Sequence, residues 1–445
     1  MTEDTLPPPP SRQGLRILIT NNTLAGRAGS ELYVRDLALA LMKRGHFPIA
    51  YSTELGDVAE ELRRATIPVI DDLATLTVPP DVIHGQHHLE TTTAALYFPQ
   101  TPVMYICHGW LPWEELPPIL PSISRYVAVD DLCRERLLTS KGIAPEQVEV
   151  HLNFVDLDRF PRRDPLPAKP QSALVFSNYA QEDGRLDAIR SACHKVGITR
   201  VDVVGGNSGN AVSKPEELIG KYDIVFAKAR CALEAMVSGC AVIVTDYAGL
   251  GGMVTTENVA RMRRLNFGAR TMQTDRTSEA TILRELSLYN AEDAAKVSDY
   301  IRQDADMAAS VTRWIALYDS MVEQTAALRQ TEGPQDHEPL LKAGATYLHW
   351  LSPVIKRNFR HLRDREAEAA AMERRAQAAE QALSECRAAL EATQAQLHQH
   401  ESEGQDLRNQ LREKADALTK IYGSRTWKRV TKFRAIRHRL RQIFK

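Results

Sequence analysis

Lys228, Arg230 and Glu234 stand close together just after the apolar run Ile224-Val-Phe-Ala227. Read as a buried strand followed by a helix, this puts two cations at the carboxyl end of a strand, where open parallel sheets bind ligands. Cations there suit a diphosphate, because a helix N-terminus already favours anions. Glu234, one turn further on, could accept hydrogen bonds from a ribose. The same three residues would also serve as ordinary charge at a strand–helix turn. His108 ends a second apolar run, Val103 to Cys107, and fits either a polar group in a cleft or a loop histidine bonded to backbone. Gly26 and Gly29 lie in a loop after a third run, Leu15 to Thr20. That loop has neither the G-x-G-x-x-G nor the G-x-x-x-x-G-K-[ST] spacing, and neither has Gly205-Gly206-Asn-Ser-Gly209. Each also reads as a tight turn. His84, His87 and His88 invite a metal reading. However, His87 and His88, taken as neighbours on a strand, point apart, and no cysteine or carboxylate completes a tetrahedral set. No metal is expected.

The elements that must hold these residues alternate. Strands are expected at Leu15–Thr20, Phe47–Tyr51, Pro68–Ile70, Asp81–His84, Val103–His108 and Tyr126–Val129. Between them come helices at Glu31–Arg44, capped by Ser30 and closed by Gly45, at Asp57–Ala65 and around Thr92–Tyr97. A proline-rich passage, Phe160 to Pro170, reads as a domain linker. The alternation then restarts, with strands Ala173–Phe176, Val201–Val204, Asp223–Ala227 and Ala241–Thr245 and helices Gly184–Val196 and Arg230–Ser238. Helices near Ser278–Leu288, Ala291–Gln303 and Met307–Leu328 follow. The fold class is α/β, with two doubly wound parallel-sheet domains, 14–160 and 171–328, the last helix (307–328) packing back on the first domain.

The composition is that of a soluble globular protein: 43% of residues are apolar, and no run approaches the roughly 18 of a membrane span. Residues 1–13 read as a disordered lead-in without a signal-peptide pattern. Six scattered cysteines without a CxxC pair fit reduced thiols in a cytoplasmic protein. Beyond residue 328 the pattern changes. A linker is expected over 329–363 and a long helix over 364–420. Leu383, Leu390, Leu397, Leu411 and Leu418 fall on one heptad position there, with Gly404 at the missing step. This fits a weak coiled coil that pairs two copies, or a solvated helix that never pairs. The last stretch, 421–445, has no acid and nine Lys or Arg, with Trp427, Val430, Phe433, Ile436, Leu440 and Ile443 every three to four residues. A basic amphipathic helix lying on an anionic membrane is the expectation; no nucleic-acid motif accompanies it.

Over about Leu15 to Val322 the chain resembles the retaining glycosyltransferases of the GT-B fold, the family 4-like group. The resemblance rests on Gly26-Arg-Ala-Gly-Ser-Glu31 with Leu37 to His46, on Asp81-Val-Ile-His84 and Cys107-His-Gly109, and on Val127-Ala-Val-Asp130 with Val148 to Phe160. It also rests on Ala232 to Gly239 with Val242-Ile-Val-Thr-Asp246. It implies a nucleotide-sugar in an interdomain cleft. Glu234 would sit on the ribose, Gly26 and Gly29 would let backbone approach the phosphates and acceptor, and His108 would line the reaction centre. It implies no cofactor besides the donor, and transfer with retention to a lipid-linked or glycan acceptor. The implied setting is synthesis of a bacterial surface polysaccharide, such as lipopolysaccharide or capsule, at the inner face of the cell membrane. The chain departs from the group at three places. Phe226 stands where an earlier glutamate is usual. Ser177 to Gly184, with Arg185 displaced, replaces an Arg and a Lys, so Lys228 and Arg230 would take over the diphosphate. Phe154 replaces a glycine. These departures leave a second reading, a degenerate scaffold that recruits a synthase complex through its coiled coil and basic tail. A third is an epimerase or phosphorylase on the same fold.

Overall fold

The computed structural model describes residues 14–177, 184–206, 208–210, 212, 214–272, 275–332 and 336–443. It divides into two compact units, the first ending at His349 and the second starting at Trp350.

In the first unit, β1 (Arg16–Thr20), α1 (Gly29–Lys43), β2 (Phe47–Tyr51), α2 (Asp57–Arg64), β3 (Val69–Ile70), β4 (Val82–Gln86) and α3 (His88–Tyr97) come first. They are followed by β5 (Val103–Cys107), β6 (Ile123–Ala128), α4 (Asp131–Thr139) and β7 (Val148–Val150). The strands form one parallel sheet of order β3-β2-β1-β4-β5-β6-β7. The central strands are buried along their whole length, which is why they read as unbroken apolar runs. The strand order reverses between β1 and β4, opening a crevice at their carboxyl ends.

A second sheet follows: β8 (Ser172–Phe176), α5 (Gly184–Lys195), β9 (Arg200–Val204), β10 (Ile224–Ala227), α6 (Ala229–Val237), β11 (Ala241–Asp246) and β12 (Gly249–Met253). Its order is β12-β11-β10-β8-β9. The expectation of an all-parallel sheet fails at β12, which pairs antiparallel with β11 through a tight return at Tyr247–Ala248. The run Gly249-Leu-Gly-Gly-Met carries too little apolar pattern to announce a strand. Helices α7 (Val259–Arg264), α8 (Glu279–Leu286), α9 (Ala291–Asp304) and α10 (Met307–Glu332) complete this part. Val311, Trp314, Leu317, Tyr318 and Met321 of α10 are buried in the core of the first sheet, not the second.

Other details depart from the sequence reading. Ser30 lies inside α1 and bonds Glu31 at 2.8 Å instead of capping; Ala28 is the N-cap and offers no side-chain acceptor. His87 and His88 are at the start of α3, not on a strand, and His87 takes a left-handed φ of 59°. Residues 178–183, the middle of the Ser177–Gly184 passage read as departing from the group's pattern, lie outside the described residues. The expected linker over 329–363 is helical from Glu338, where α11 (Glu338–Gly423) begins. Leu340, Ala343 and Tyr347 share one face of its first turns. Leu340 packs into the first core, and the Tyr347 hydroxyl meets His88 Nδ1 at 2.6 Å.

The second unit holds the rest of α11 and α12 (Arg425–Ile443). Ser424 separates the two helices, and its Oγ accepts the Trp427 N–H at 3.2 Å. The amphipathic expectation holds for half of α12. At 3.6 residues per turn, Phe433, Ile436, Leu440 and Ile443 share a face, but the three-residue steps from Trp427 to Val430 to Phe433 wind the stripe around the helix.

Candidate functional site

The helix α6 forms because Leu233, Met236 and Val237 recur on one face and bury completely against β10 and β11. Gly239 ends it at φ 87°, a value only glycine takes freely. Its N-cap is Lys228, in extended conformation, and the next residue, Ala229, has φ 46°. Left-handed backbone at alanine costs about 1–2 kcal/mol. It is held here by the Ala229 N–H donating to Phe267 O at 3.0 Å. The strained turn aims Lys228 and Arg230 in different directions.

Lys228 pairs with Asp246, the last residue of β11, and lies 4.6 Å from the Tyr247 ring centre. Asp246 also accepts from Ser177 Oγ at 3.2 Å and has Arg185 at 3.9 Å. Arg230 bonds Glu234 Oε1 through Nε at 2.8 Å, while its Nη2 reaches Asp36 on α1. Asp36 therefore joins the two sheets. It also accepts from Arg35 at 2.7 Å and has Arg159 at 3.7 Å; Arg35 and Arg27 bond Glu61, and Arg159 bonds Glu216 at 2.9 Å. Four guanidiniums, of Arg27, Arg35, Arg159 and Arg230, thus face four carboxylates, of Asp36, Glu61, Glu216 and Glu234. Burial alone would raise the pKa of Asp36, but Arg230 and Arg35 outweigh it and hold it below the ordinary value. For Glu234 the balance reverses: burial raises its pKa, and Arg230 offsets that only in part. Arg230 is expected as a solvated or phosphate-binding cation. In the structure it is a half-buried bridge whose charge two carboxylates already neutralise.

Gly26 precedes α1 and Gly29 is its first residue. An added Cβ would meet nothing within 4 Å at Gly29, and at Gly26 only Glu31 Oε1 at 3.8 Å, so the protein itself does not demand glycine at either position. His108 follows β5 and is half-buried. Its backbone N–H donates to Glu115 Oε2 at 2.9 Å, and its ring meets Tyr33 edge-on at 4.8 Å. Burial, and then His87 and His84, push its pKa well down, so the ring is neutral. Its Nε2 is buried with no hydrogen-bond partner among the described residues. The same holds for Asn21 Oδ1 after β1 and for both amide atoms of Gln86 at the end of β4. Three neighbouring strands therefore present unpaired polar atoms at their carboxyl ends, a set able to meet hydroxyl groups. His87 Nε2 lies 3.5 Å from Glu115 Oε1. Burial lowers His87 to about 4 and raises Glu115 to about 7, so between those values the pair is neutral, not an ion pair.

The structure brings Arg230 and Glu234 together and sets Lys228 apart on Asp246. The sequence reading missed Asp36, Glu115, Gln86 and Asp246. Asp36 had a signal: it lies three residues after Tyr33 and four before Ala40, a charge on the apolar face of α1. Among the described residues no group of three or more His, Cys, Asp or Glu could hold a metal ion. A cavity of 890 Å³ opens at the amino ends of β1 and β2, lined by Met42, Phe47, Pro68 and Val322, at the far end of the strands from the crevice. Position on the sheet, not cavity size, marks the candidate site.

Several solved structures are similar to this chain. A glycosyltransferase from Rickettsia africae is 14% identical, covering 70% of this chain and 99% of its own, with a TM-score of 0.48. Anabaena Alr3699/HepE in complex with UDP-glucose is 14% identical, covering 71% and 100%, at 0.46. A UDP-N-acetylglucosamine 2-epimerase is 14% identical, covering 68% and 95%, at 0.41. No curated protein matches. Residues 27–159, from the loop before α1 to Arg159 of the ion network, match the family model described as Glycosyltransferase Family 4.

Proposed function

We propose that this protein is a retaining glycosyltransferase that moves a sugar from a nucleotide-sugar to a lipid-linked or glycan acceptor, in synthesis of a bacterial surface polysaccharide at the cytoplasmic face of the membrane. The observation that carries the reading is Glu234, a buried carboxylate on α6 that Arg230 ties to Asp36 of the first sheet. The family match over that first sheet supports it.

On this reading the ribose hydroxyls donate hydrogen bonds to Glu234, and the diphosphate draws Arg230 and Lys228 away from Asp36 and Asp246. Their charge then stabilises the leaving group. The bond from the sugar's anomeric carbon to the phosphate oxygen breaks, and the acceptor oxygen bonds that carbon on the same face. The acceptor's proton passes to the leaving phosphate. His108, neutral and with Nε2 unpaired, holds a sugar hydroxyl. Neither metal nor enzymic nucleophile takes part. The α12 tail holds the enzyme against anionic lipid.

The test is calorimetry and thermal shift of the full chain with UDP-, GDP-, ADP-, dTDP- and CMP-sugars. A donor at about a hundred times its dissociation constant should stabilise the fold by about 2.7 kcal/mol. Glu234→Ala should remove that gain for the selected donor; equal gain in the variant would reject the ribose role.

A second reading, the scaffold, is favoured by the charge balance of the network, in which Arg230 has no charge to spare for a phosphate. A folded protein that responds to none of the five donors would support it.

A further inference from the structure

Five leucines of α11, Leu383, Leu390, Leu397, Leu411 and Leu418, are each between 49 and 66% exposed, on an uninterrupted helix. They occupy every seventh position but one, and Gly404 holds that one. A stripe this regular, with this much apolar surface in water, calls for a partner helix. The charges beside the stripe say which partner. With the leucines at heptad position a, position g holds Arg375 and Glu403, and position e, five residues on, holds Glu380 and Arg408. In a parallel pair of identical helices, g of one copy faces the following e of the other. Arg375 then meets Glu380 and Glu403 meets Arg408, each pair twice by symmetry. From Met372 to Ile421 no g–e pair is like-signed. The like-signed pair Glu368–Glu373 straddles Met372, beside the alanine a positions Ala369 and Ala376, and marks where the seam starts. An antiparallel pair centred on Ser402, with a layers packed against d layers, sets Glu401 against Glu401 and Glu403 against Glu403.

We propose that α11 forms a parallel, in-register, two-stranded coiled coil with a second copy of this chain, over Met372 to Ile421. The d layers include Thr393, His400 and Lys414, which cost stability and make the pair concentration-dependent. Cys386 is also a d residue, and it is the exposed cysteine of the six. In register, the two Cys386 thiols face each other across the seam, within the Cα span of about 4.4–6.8 Å that a disulfide bridges. A parallel pair also carries both α12 tails at the same end, so two weak membrane contacts act as one.

The test uses the full chain. Light scattering over a concentration series should reach twice the 49.8 kDa of one chain. Diamide, which takes up the two electrons and two protons released, should then link the dimer through Cys386. Cys386→Ser should lose the link and keep the dimer mass. Leu390→Glu with Leu397→Glu, both at exposed positions that leave each helix intact, should give the monomer. Glu403→Arg should weaken the dimer several-fold, and Glu403→Arg with Arg408→Glu should restore it. A monomer at all concentrations, a dimer that survives the leucine changes, or a dimer that diamide cannot link through Cys386 would each overturn the proposal.

Discussion

His84 shows how a single residue can set the pH response of this fold. It is wholly buried on β4. Its Nδ1 meets the Tyr318 hydroxyl at 2.7 Å, and its Nε2 has no partner among the described residues. Burial, and then nearby His151, lower its pKa to about 3 from 6.5. The unfolded chain therefore binds a proton at His84 between those values and the folded chain does not, so protonation favours unfolding as pH falls. His84→Gln, which can still bond Tyr318, removes that linkage. From pH 6 to pH 4 the wild type should lose about 1.4 kcal/mol more per pH unit than the variant in urea unfolding; parallel curves would show that His84 titrates normally. The sequence brought His84 to notice as a metal candidate. Its true surroundings, Tyr318 and Trp314 from a helix more than two hundred residues later, are tertiary and leave no local trace. The positions of Glu234 and His108 on their elements were legible because each closes a pattern: one sits on the helix after a strand, the other ends an apolar run.

Among the elements, strands and helices were read best where burial imposes a pattern. The unbroken runs of β4, β5 and β10 and the stripe of α1 follow from being covered by neighbours. What escaped carries weak or misleading periodicity: the glycine-rich β12, the left-handed entry to α3, and the start of α11, whose Leu340 and Tyr347 face looked like a mixed linker. For α12 the residue types were right and the angular arithmetic was not, since steps of three precess around a helix of 3.6. The apolar face is Phe433, Ile436, Leu440 and Ile443, between 51 and 76% exposed, set among arginines. Deleting 421–445 should abolish sedimentation with anionic vesicles while leaving the thermal midpoint of the first unit unchanged. In the intact chain, binding should weaken as salt rises. Equal binding to neutral vesicles, or binding that survives the deletion, would refute electrostatic docking by the tail.

At the scale of the whole molecule, the first unit is two sheets crossed by chain and by charge. The chain crosses through α10, which leaves the second sheet and buries Trp314 in the first core. Charge crosses through Asp36 and Arg230. Asp36→Asn keeps the shape, strips the carboxylate, and leaves Arg230 with one partner; removing half of such a buried pair costs about 3 kcal/mol, measurable as a lower urea midpoint. If a diphosphate binds where we propose, Asp36 is its competitor, and a ligand must overcome that grip before it gains anything. The affinity measured for the wild type is then a difference between two anions held by one guanidinium. Asp36→Asn should therefore be the weaker fold and the tighter binder, with a smaller nucleotide dissociation constant than the wild type. A larger constant would show that Asp36 helps to position the ligand. The ion pairs that join the two sheets would then be a trade of ligand affinity for stability, one that a single uncharged side chain reverses.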